Sequence, residues 1–218
     1  MASVRAASLS ALLSDSPSGA LLATLREHIR TRRWFRGKAR TIERLELLDH
    51  AVLQAAPREV ALVFLRVIYS ADAAEIYVLP LALAARADAA ESVLCEVEIS
   101  DQVRGVLLDP SGSEELSQLL LALVSRAQTP AQRGCISARA AEALQRRLAP
   151  GQPSLAARIP SGEQSNTTVF YGREFMLKLF RQLEPGDNPD VEISEFLWAS
   201  GYRNVPEPLG HLRYASPD

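Results

Sequence analysis

The sequence has few cysteines, little net charge and no long apolar run, and each shortage argues against a class of protein. Cys95 and Cys135 lie far apart without a CxxC-like pattern, so we interpret both as reduced structural thiols of a cytoplasmic protein. A formal net charge of -2 argues against a dedicated nucleic-acid binder. No apolar run approaches the ~20 residues of a membrane helix. The N-terminal stretch MASVRAASLSALLSDS shows no convincing cleavage site, so we predict no secretion and no membrane partner.

The composition is that of an ordinary globular protein. The 218 residues are 47% hydrophobic and 23% charged, which is enough to build a core in one or two domains. The basic run RTRRWFRGKAR offers a nucleic-acid patch, but acidic residues follow it at once, so we predict no nucleic-acid partner. Within this run, Trp34 and Phe35 are interpreted as core anchors rather than as a sugar-stacking platform.

The first part of the chain predicts a helix followed by an antiparallel β-meander. Residues 18–31 carry leucine and isoleucine at helical spacing. Three segments rich in β-branched and long apolar residues then predict strands: TIERLELLDHAVL, VALVFLRVIYS and EIYVLPLAL. The middle segment is apolar on both faces, so we predict a central strand covered on one side by the first helix. A boundary is expected in residues 84–92, which divides the chain into subdomains 1–90 and 91–218.

The second part predicts shorter elements. Two strands are expected around VLCEVEIS and VRGVLLD, then an amphipathic helix over residues 112–127 with Ser113 as its N-cap, and a second helix over residues 137–148. Residues 166–171 and 175–181 predict a hairpin whose Gly172-Arg173 turn needs a positive φ at its first position. A helix with Asn188 as N-cap and Pro189 at its first position follows, and VPEPLGHLRY starts a further strand.

Lys178 lies in the middle of the apolar stretch FMLKLF. Period-two alternation places Lys178 on one face with Met176 and Phe180, so the ammonium is expected among apolar side chains, where it needs a partner. The structural alternative is a lysine at a sheet edge whose aliphatic stem lies along apolar surface while its ammonium reaches solvent.

The order of hairpin, lysine strand, helix and strand resembles the small ATP-binding lobe of the protein-kinase superfamily. In that lobe the lysine holds nucleotide phosphates and pairs with a glutamate of the next helix. Glu192 and Glu195 are the candidates here, and Glu192 is favoured. GxGxxG does not occur, but SGEQSNTT offers Ser165, Asn166 and Thr167, together with Ser161 and Gly162, as phosphate contacts. The alternative for this segment is an inert turn.

Two longer stretches are similar to bacterial maltokinases, including those fused to trehalose synthase. EQSNTTVFYGREFMLKLFRQLEPGDNPDVEISEFL resembles their ATP-binding lobe, which is related to aminoglycoside phosphotransferases, and RRWFRGKARTIERLELLDH with IYVLPLAL resembles the preceding cap. The resemblance implies an α+β fold with a meander cap, a packed helix and a kinase-like N-lobe. It also implies ATP and Mg²⁺ as cofactors and transfer of the γ-phosphate to maltose, with ATP site residues Lys178, Glu192, Ser165, Asn166 and Thr167.

The sequence departs from the family pattern in its catalytic motifs. No histidine begins an HxD loop and no DFG occurs, although kinases take their base and Mg²⁺ ligands from such motifs in a larger lobe. We therefore interpret the chain as the N-terminal portion of a maltokinase. The alternative is an interaction module associated with trehalose synthase and without catalysis of its own. An aminoglycoside or choline kinase fits less well, because the WFRGK segment does not belong to those families.

We predict that these 218 residues do not phosphorylate maltose, because they supply neither the base nor the metal ligands of a kinase. The measurement is formation of maltose 1-phosphate in the presence of Mg²⁺ and ATP, with a reaction lacking the protein as the control. Maltose 1-phosphate above that control would contradict the interpretation.

Overall fold

The computed structural model describes residues 3–14, 16–54, 58–71, 73–88, 91–101, 103–152, 154–160 and 166–216. Over these residues the fold is mixed α+β and consists mostly of strands, as the sequence predicts. The helices are α1 (Leu9–Leu12), α2 (Gly19–Thr31), α3 (Glu114–Val124), α4 (Glu142–Arg147) and α5 (Pro189–Ala199). The strands are β1 (Ser3–Arg5), β2 (Ile42–Gln54), β3 (Glu59–Tyr69), β4 (Glu75–Ala84), β5 (Ser92–Glu98), β6 (Arg104–Asp109), β7 (Gln128–Pro130), β8 (Cys135–Ala140), β9 (Ala157–Arg158), β10 (Asn166–Tyr171), β11 (Phe175–Phe180), β12 (Gln182–Leu183) and β13 (Gly210–Ala215).

The main sheet has the strand order β1-β5-β6-β4-β3-β2, and β12 pairs with β4. Strands β2, β3 and β4 are consecutive antiparallel neighbours, which confirms the predicted meander. The predicted subdomain boundary at residue 90 lies within this sheet, between β4 and β5. Strands from both sides of that position are hydrogen-bonded neighbours, because β6 pairs with β4 as well as with β5.

Strand β3 has a buried side chain on each face because both faces of the sheet are covered. Val63 and Leu65 point into the same core as Leu21, Leu25 and Ile29 of α2. The alternate β3 residues Leu62 and Phe64 point into a second core, which also contains three leucines of α3: Leu116, Leu120 and Leu123. Period-two alternation therefore divides one apolar strand between two cores. The prediction of a central strand that is covered by the helix of residues 18–31, here α2, is confirmed.

The two predicted N-caps, Ser113 and Asn188, are confirmed, and Ser18 caps α2 in the same way. The side chain of Ser18 accepts a hydrogen bond from the backbone N–H of Leu21 at 3.2 Å, and that of Ser113 accepts one from Leu116 at 3.1 Å. Asn188 accepts from the N–H of Asp190 at 2.9 Å, directly before Pro189. Each cap satisfies a helix N–H that has no partner within the helix.

The helix predicted over residues 137–148 is wrong in its first half. Residues Cys135–Ala140 form β8, and the helix is confined to Glu142–Arg147. Strand β8 pairs with β13 along its full length and with β7 on its other side. These long-range hydrogen bonds outweigh the local helical preference of the alanines in this segment.

Strands β10 and β11 form the predicted hairpin, and Gly172 has the expected positive φ, +56°. The hairpin belongs to a three-stranded sheet of order β11-β10-β9, whereas β13 lies in a separate sheet of order β13-β8-β7. Among the strands described, the lysine strand and β13 therefore do not share one sheet. The kinase-like arrangement of this part remains a prediction.

Asp49 of β2 connects the sheet of β7, β8 and β13 to the main sheet. The Asp49 carboxylate is 1% exposed and accepts hydrogen bonds from the backbone N–H groups of Arg133 (3.0 Å) and Gly134 (2.8 Å) and from the Tyr214 hydroxyl (2.9 Å). The Tyr214 ring stacks on Phe64 with its centroid 3.7 Å away. A single buried carboxylate thus fixes the β7–β8 turn and the end of β13.

We predict that Asp49→Ala lowers the free energy of unfolding by about 3 kcal/mol, because it removes the buried carboxylate that accepts hydrogen bonds from three groups. Urea unfolding followed by circular dichroism measures the change. Glu43→Ala on the same strand is the matched control, since Glu43 is exposed, and its effect should stay within about 0.5 kcal/mol. Equal effects of the two substitutions would refute this role of Asp49.

Candidate functional site

Lys178 lies on the outward face of β11, and the expectation that it sits among apolar neighbours is wrong. Its side chain is 44% exposed, and Met176 on the same face is also exposed. Leu177 and Leu179 instead turn inward and pack against the core that contains α3. The hairpin buries only one face, so its alternation is apolar inward and mixed outward.

The partner of Lys178 is Asp190 in the first turn of α5. The Lys178 Nζ lies 3.1 Å from Asp190 Oδ2. The expected pairing with Glu192 or Glu195 is therefore wrong: Glu192 is exposed, and Glu195 Oε1 lies 3.6 Å from His211 Nδ1. The signal in the sequence is the position of Asp190, which follows Asn188 and Pro189 and therefore lies in the first turn of the predicted helix.

The candidate phosphate contacts fall on different faces of the hairpin. Thr168 is directly opposite Lys178, and Thr167 is opposite Leu179. Neighbouring residues of a strand point to opposite faces, so Thr167 lies on the inward face, where its hydroxyl accepts a hydrogen bond from Arg181 Nε at 3.0 Å. Asn166 begins β10 and is partly buried. Ser165, with Ser161 and Gly162, lies outside the described residues, and the phosphate-binding role of all these residues remains a prediction.

Arg181 is a functional candidate that the sequence reasoning missed. It follows β11 directly, yet its side chain is 1% exposed. Its Nη2 donates to the Ser111 hydroxyl at 2.6 Å and its Nη1 to the Val78 carbonyl at 3.5 Å. The guanidinium carbon lies 5.3 Å from the centre of the Trp34 ring. No local signal distinguishes Arg181 in the sequence, because these partners are distant along the chain.

Asp109 supplies the negative charge beside this arginine. The Ser111 backbone N–H donates to Asp109 Oδ1 at 2.9 Å, the Ser111 hydroxyl donates to the same atom, and His28 Nε2 lies 3.1 Å from Oδ2. Burial acts to raise the pKa of Asp109, but the hydrogen bond to His28, the charge of Arg181 and the hydrogen bond from Ser111 outweigh it and lower the pKa to about 2. Asp109 is therefore ionised at neutral pH.

A second network holds the segment that carries Trp34 and Phe35. Glu75 accepts hydrogen bonds from the hydroxyls of Tyr69 and Tyr77, both at 2.7 Å, and from Arg40 Nη2 at 2.6 Å. Burial and the hydrogen bond to Glu75 raise the pKa of Tyr69 to about 12. Trp34 and Phe35 are buried and their rings lie against the Tyr77 ring. The interpretation of Trp34 and Phe35 as core anchors is confirmed.

Among the residues that the structure describes, no group of three or more His, Cys, Asp and Glu side chains is arranged to hold a metal ion. Over the same part of the chain, no helix combines the length and the apolar character needed to cross a membrane.

The fold and these networks define a curled, mostly antiparallel sheet covered by helices on both faces. Residues 28–112 match the family model described as the maltokinase N-terminal cap domain. The match begins in α2 and ends just after β6, so it includes the Trp34 segment, Asp109 and Ser111. The N-terminal region of this chain is therefore maltokinase-related. The match ends before the hairpin and does not include Lys178 or Arg181.

We predict that acid weakens the fold through Asp109. The folded pKa lies below the value of about 3.9 in an unfolded chain, so the unfolded state binds more protons in this range. The stabilisation is complete above about pH 4 and is lost as the pH falls towards about 2, with a loss on the order of 2 kcal/mol.

Urea unfolding at a series of pH values measures this dependence. In Asp109→Asn, the loss of stability between about pH 4 and about pH 2 should be smaller than in the wild type, because the titrating group is absent. Asp101→Asn is the control, since the Asp101 side chain is exposed. The same acid dependence in Asp109→Asn as in the wild type would show that Asp109 is not responsible.

Proposed function

We propose that this chain is the N-terminal portion of a maltokinase, which transfers the γ-phosphate of ATP to maltose and forms maltose 1-phosphate. The observation that supports it is the match of residues 28–112 to the maltokinase cap domain. In the same chain, a lysine strand and a helix with an acidic first turn follow that region. Cytoplasmic ATP, Mg²⁺ and maltose are the small-molecule partners in this proposal.

In this proposal Lys178 neutralises the phosphates of ATP. Asp190 takes the role of orienting acid that was expected of Glu192, because Asp190 is the carboxylate in contact with the ammonium. Ser165, Asn166 and the backbone of Thr167 are kept as phosphate contacts, because the Thr167 hydroxyl is bonded to Arg181 on the inward face. The base and the Mg²⁺ ligands of such kinases belong to a larger lobe, and we assign neither role to any of the residues described.

The exposure of the Lys178–Asp190 pair suits an incoming anion. The two side chains are 44% and 55% exposed, respectively. An ion pair with this exposure contributes only about 0–1 kcal/mol to stability, because water screens it and both side chains lose freedom. A triphosphate offers several negative oxygens and can therefore compete with Asp190 for the ammonium.

An interaction module associated with trehalose synthase is the second candidate function. The observation that favours it is the surface of α5, which has no buried residue and exposes Ile193 (57%) and Phe196 (68%). Exposed apolar side chains of this size are typical of contact surfaces. In this case ATP affinity would not depend on Lys178.

We predict that Lys178→Met weakens Mg²⁺-ATP binding by about tenfold or more, equivalent to about 1.4 kcal/mol. The substitution keeps the aliphatic stem and removes the charge, so packing is preserved. The midpoint of thermal unfolding should move by only a few degrees, because the ion pair is exposed. Isothermal titration calorimetry measures the affinity.

Lys38→Met is the matched control for this substitution. Lys38 is an exposed lysine of the cap region, far in sequence from the hairpin, and its replacement should leave the affinity for ATP unchanged. An unchanged affinity in a folded Lys178→Met protein would refute the nucleotide role of Lys178. It would then favour the interaction module.

A further inference from the structure

Arg181 joins the lysine hairpin to the cap region. It directly follows β11, the strand that carries Lys178. On the hairpin side its Nε donates to Thr167 of β10 at 3.0 Å. On the cap side its side chain contacts the Val78 carbonyl, the Ser111 hydroxyl and the Trp34 ring. The residue that ends the lysine strand therefore contacts the neighbouring strand β10 and three separate segments of the cap through one side chain.

The backbone at Arg181 reinforces this connection. The Val78 N–H donates to the Arg181 carbonyl at 2.8 Å. The next two residues form β12, which pairs with Tyr77 and Ile76 of β4. The chain thus leaves the lysine strand and at once becomes part of the main sheet.

The buried guanidinium depends on the cap for its charge balance. A buried cation is stable only with hydrogen-bond acceptors and an opposing charge nearby. Ser111 accepts from Arg181 and donates to Asp109, and Asp109 contacts His28 of α2. His28, Asp109 and Ser111 all lie within the matched residues 28–112. The network therefore runs from the cap helix to the lysine strand.

Within the described ranges, the outward side of the hairpin has no comparable attachment. Lys178 meets α5 through an exposed ion pair, and α5 has no buried residue. The inward side has Leu177 and Leu179 in the core together with the buried Arg181 contacts. The position of the lysine strand is consequently set from the inward side, where Arg181 makes the contacts to the cap.

We propose that Arg181 is a positioning residue through which the cap sets the place of Lys178, so that changes in the cap network alter nucleotide affinity. The structural part of this proposal concerns the hairpin itself, and the part on affinity rests on the proposed function. Ser111 is the informative cap residue, because it contacts Arg181 and Asp109 and lies outside the proposed nucleotide contacts.

Two measurements on the same variants test the proposal. Hydrogen–deuterium exchange with mass spectrometry reports on peptides covering residues 166–180 and, separately, on β3. Titration calorimetry reports the affinity for Mg²⁺-ATP. The variants are Arg181→Met and the milder Ser111→Ala. Arg146→Met is the matched control, since Arg146 makes an exposed ion pair with Glu142 within α4.

We expect Arg181→Met to accelerate exchange in the hairpin by about tenfold or more while exchange in β3 changes little, because the opening is local. Affinity for ATP should fall by about tenfold, which corresponds to about 1.4 kcal/mol. Ser111→Ala should shift both quantities in the same direction by a smaller factor. The control should change neither quantity.

Each outcome separates the two claims. If the wild type does not bind ATP, the proposed function fails, and hairpin exchange alone decides whether Arg181 fixes the lysine strand. If the wild type binds ATP and a folded Ser111→Ala protein matches it in both exchange and affinity, the positioning role is overturned. Faster hairpin exchange with unchanged affinity also overturns it. If Arg181→Met does not fold, the results for Ser111→Ala decide whether the positioning role stands.

Discussion

A buried guanidinium needs acceptors for its N–H groups and a negative charge nearby, and the arrangement around Arg181 meets both needs. Val78, Ser111 and Thr167 supply oxygen acceptors, and ionised Asp109 supplies the charge. These residues come from three parts of the chain that are far apart in sequence. Their convergence on the Arg181 side chain holds the hairpin against the cap. This contact lies on the inward face of the hairpin, whereas Lys178 lies on the outward face.

The cap residues that contact Arg181 are held in place because the main sheet is covered on both faces. Strand β3 sends alternate side chains into the core beneath α2 and the core beneath α3. A one-residue slip of this strand would move each set of buried side chains into the opposite core. Buried Asp49 then fixes the turn before β8, and Glu75 fixes the aromatic segment that contacts Arg181. The exposed surfaces of Lys178 and α5 lie outside this rigid part.

Features determined by neighbouring residues were predictable from the sequence. The meander follows from its apolar segments, and the caps at Ser113 and Asn188 follow from their side chains and the residues after them. Features that depend on contacts between distant segments of the chain could not be predicted from the sequence. Strand β8 forms because β13 lies beside it, and Arg181 is buried because cap residues surround it. The predicted alternation of β11 was correct, because Lys178 and Leu179 lie on opposite faces. The prediction that the Lys178 face is buried was wrong, since periodicity does not specify which face meets the core.

Acylation of the lysine side chains tests whether ATP binds at the Lys178 ammonium. Lys38 and Lys178 are the two lysines of the sequence and both are exposed, so each reports on one region of the same molecule. If ATP binds at this ammonium, Mg²⁺-ATP should slow acylation of Lys178 by several-fold, while Lys38 reacts at its original rate. Mass spectrometry of the acylated peptides measures both rates in one sample. Equal acylation of Lys178 with and without saturating ATP would contradict the account.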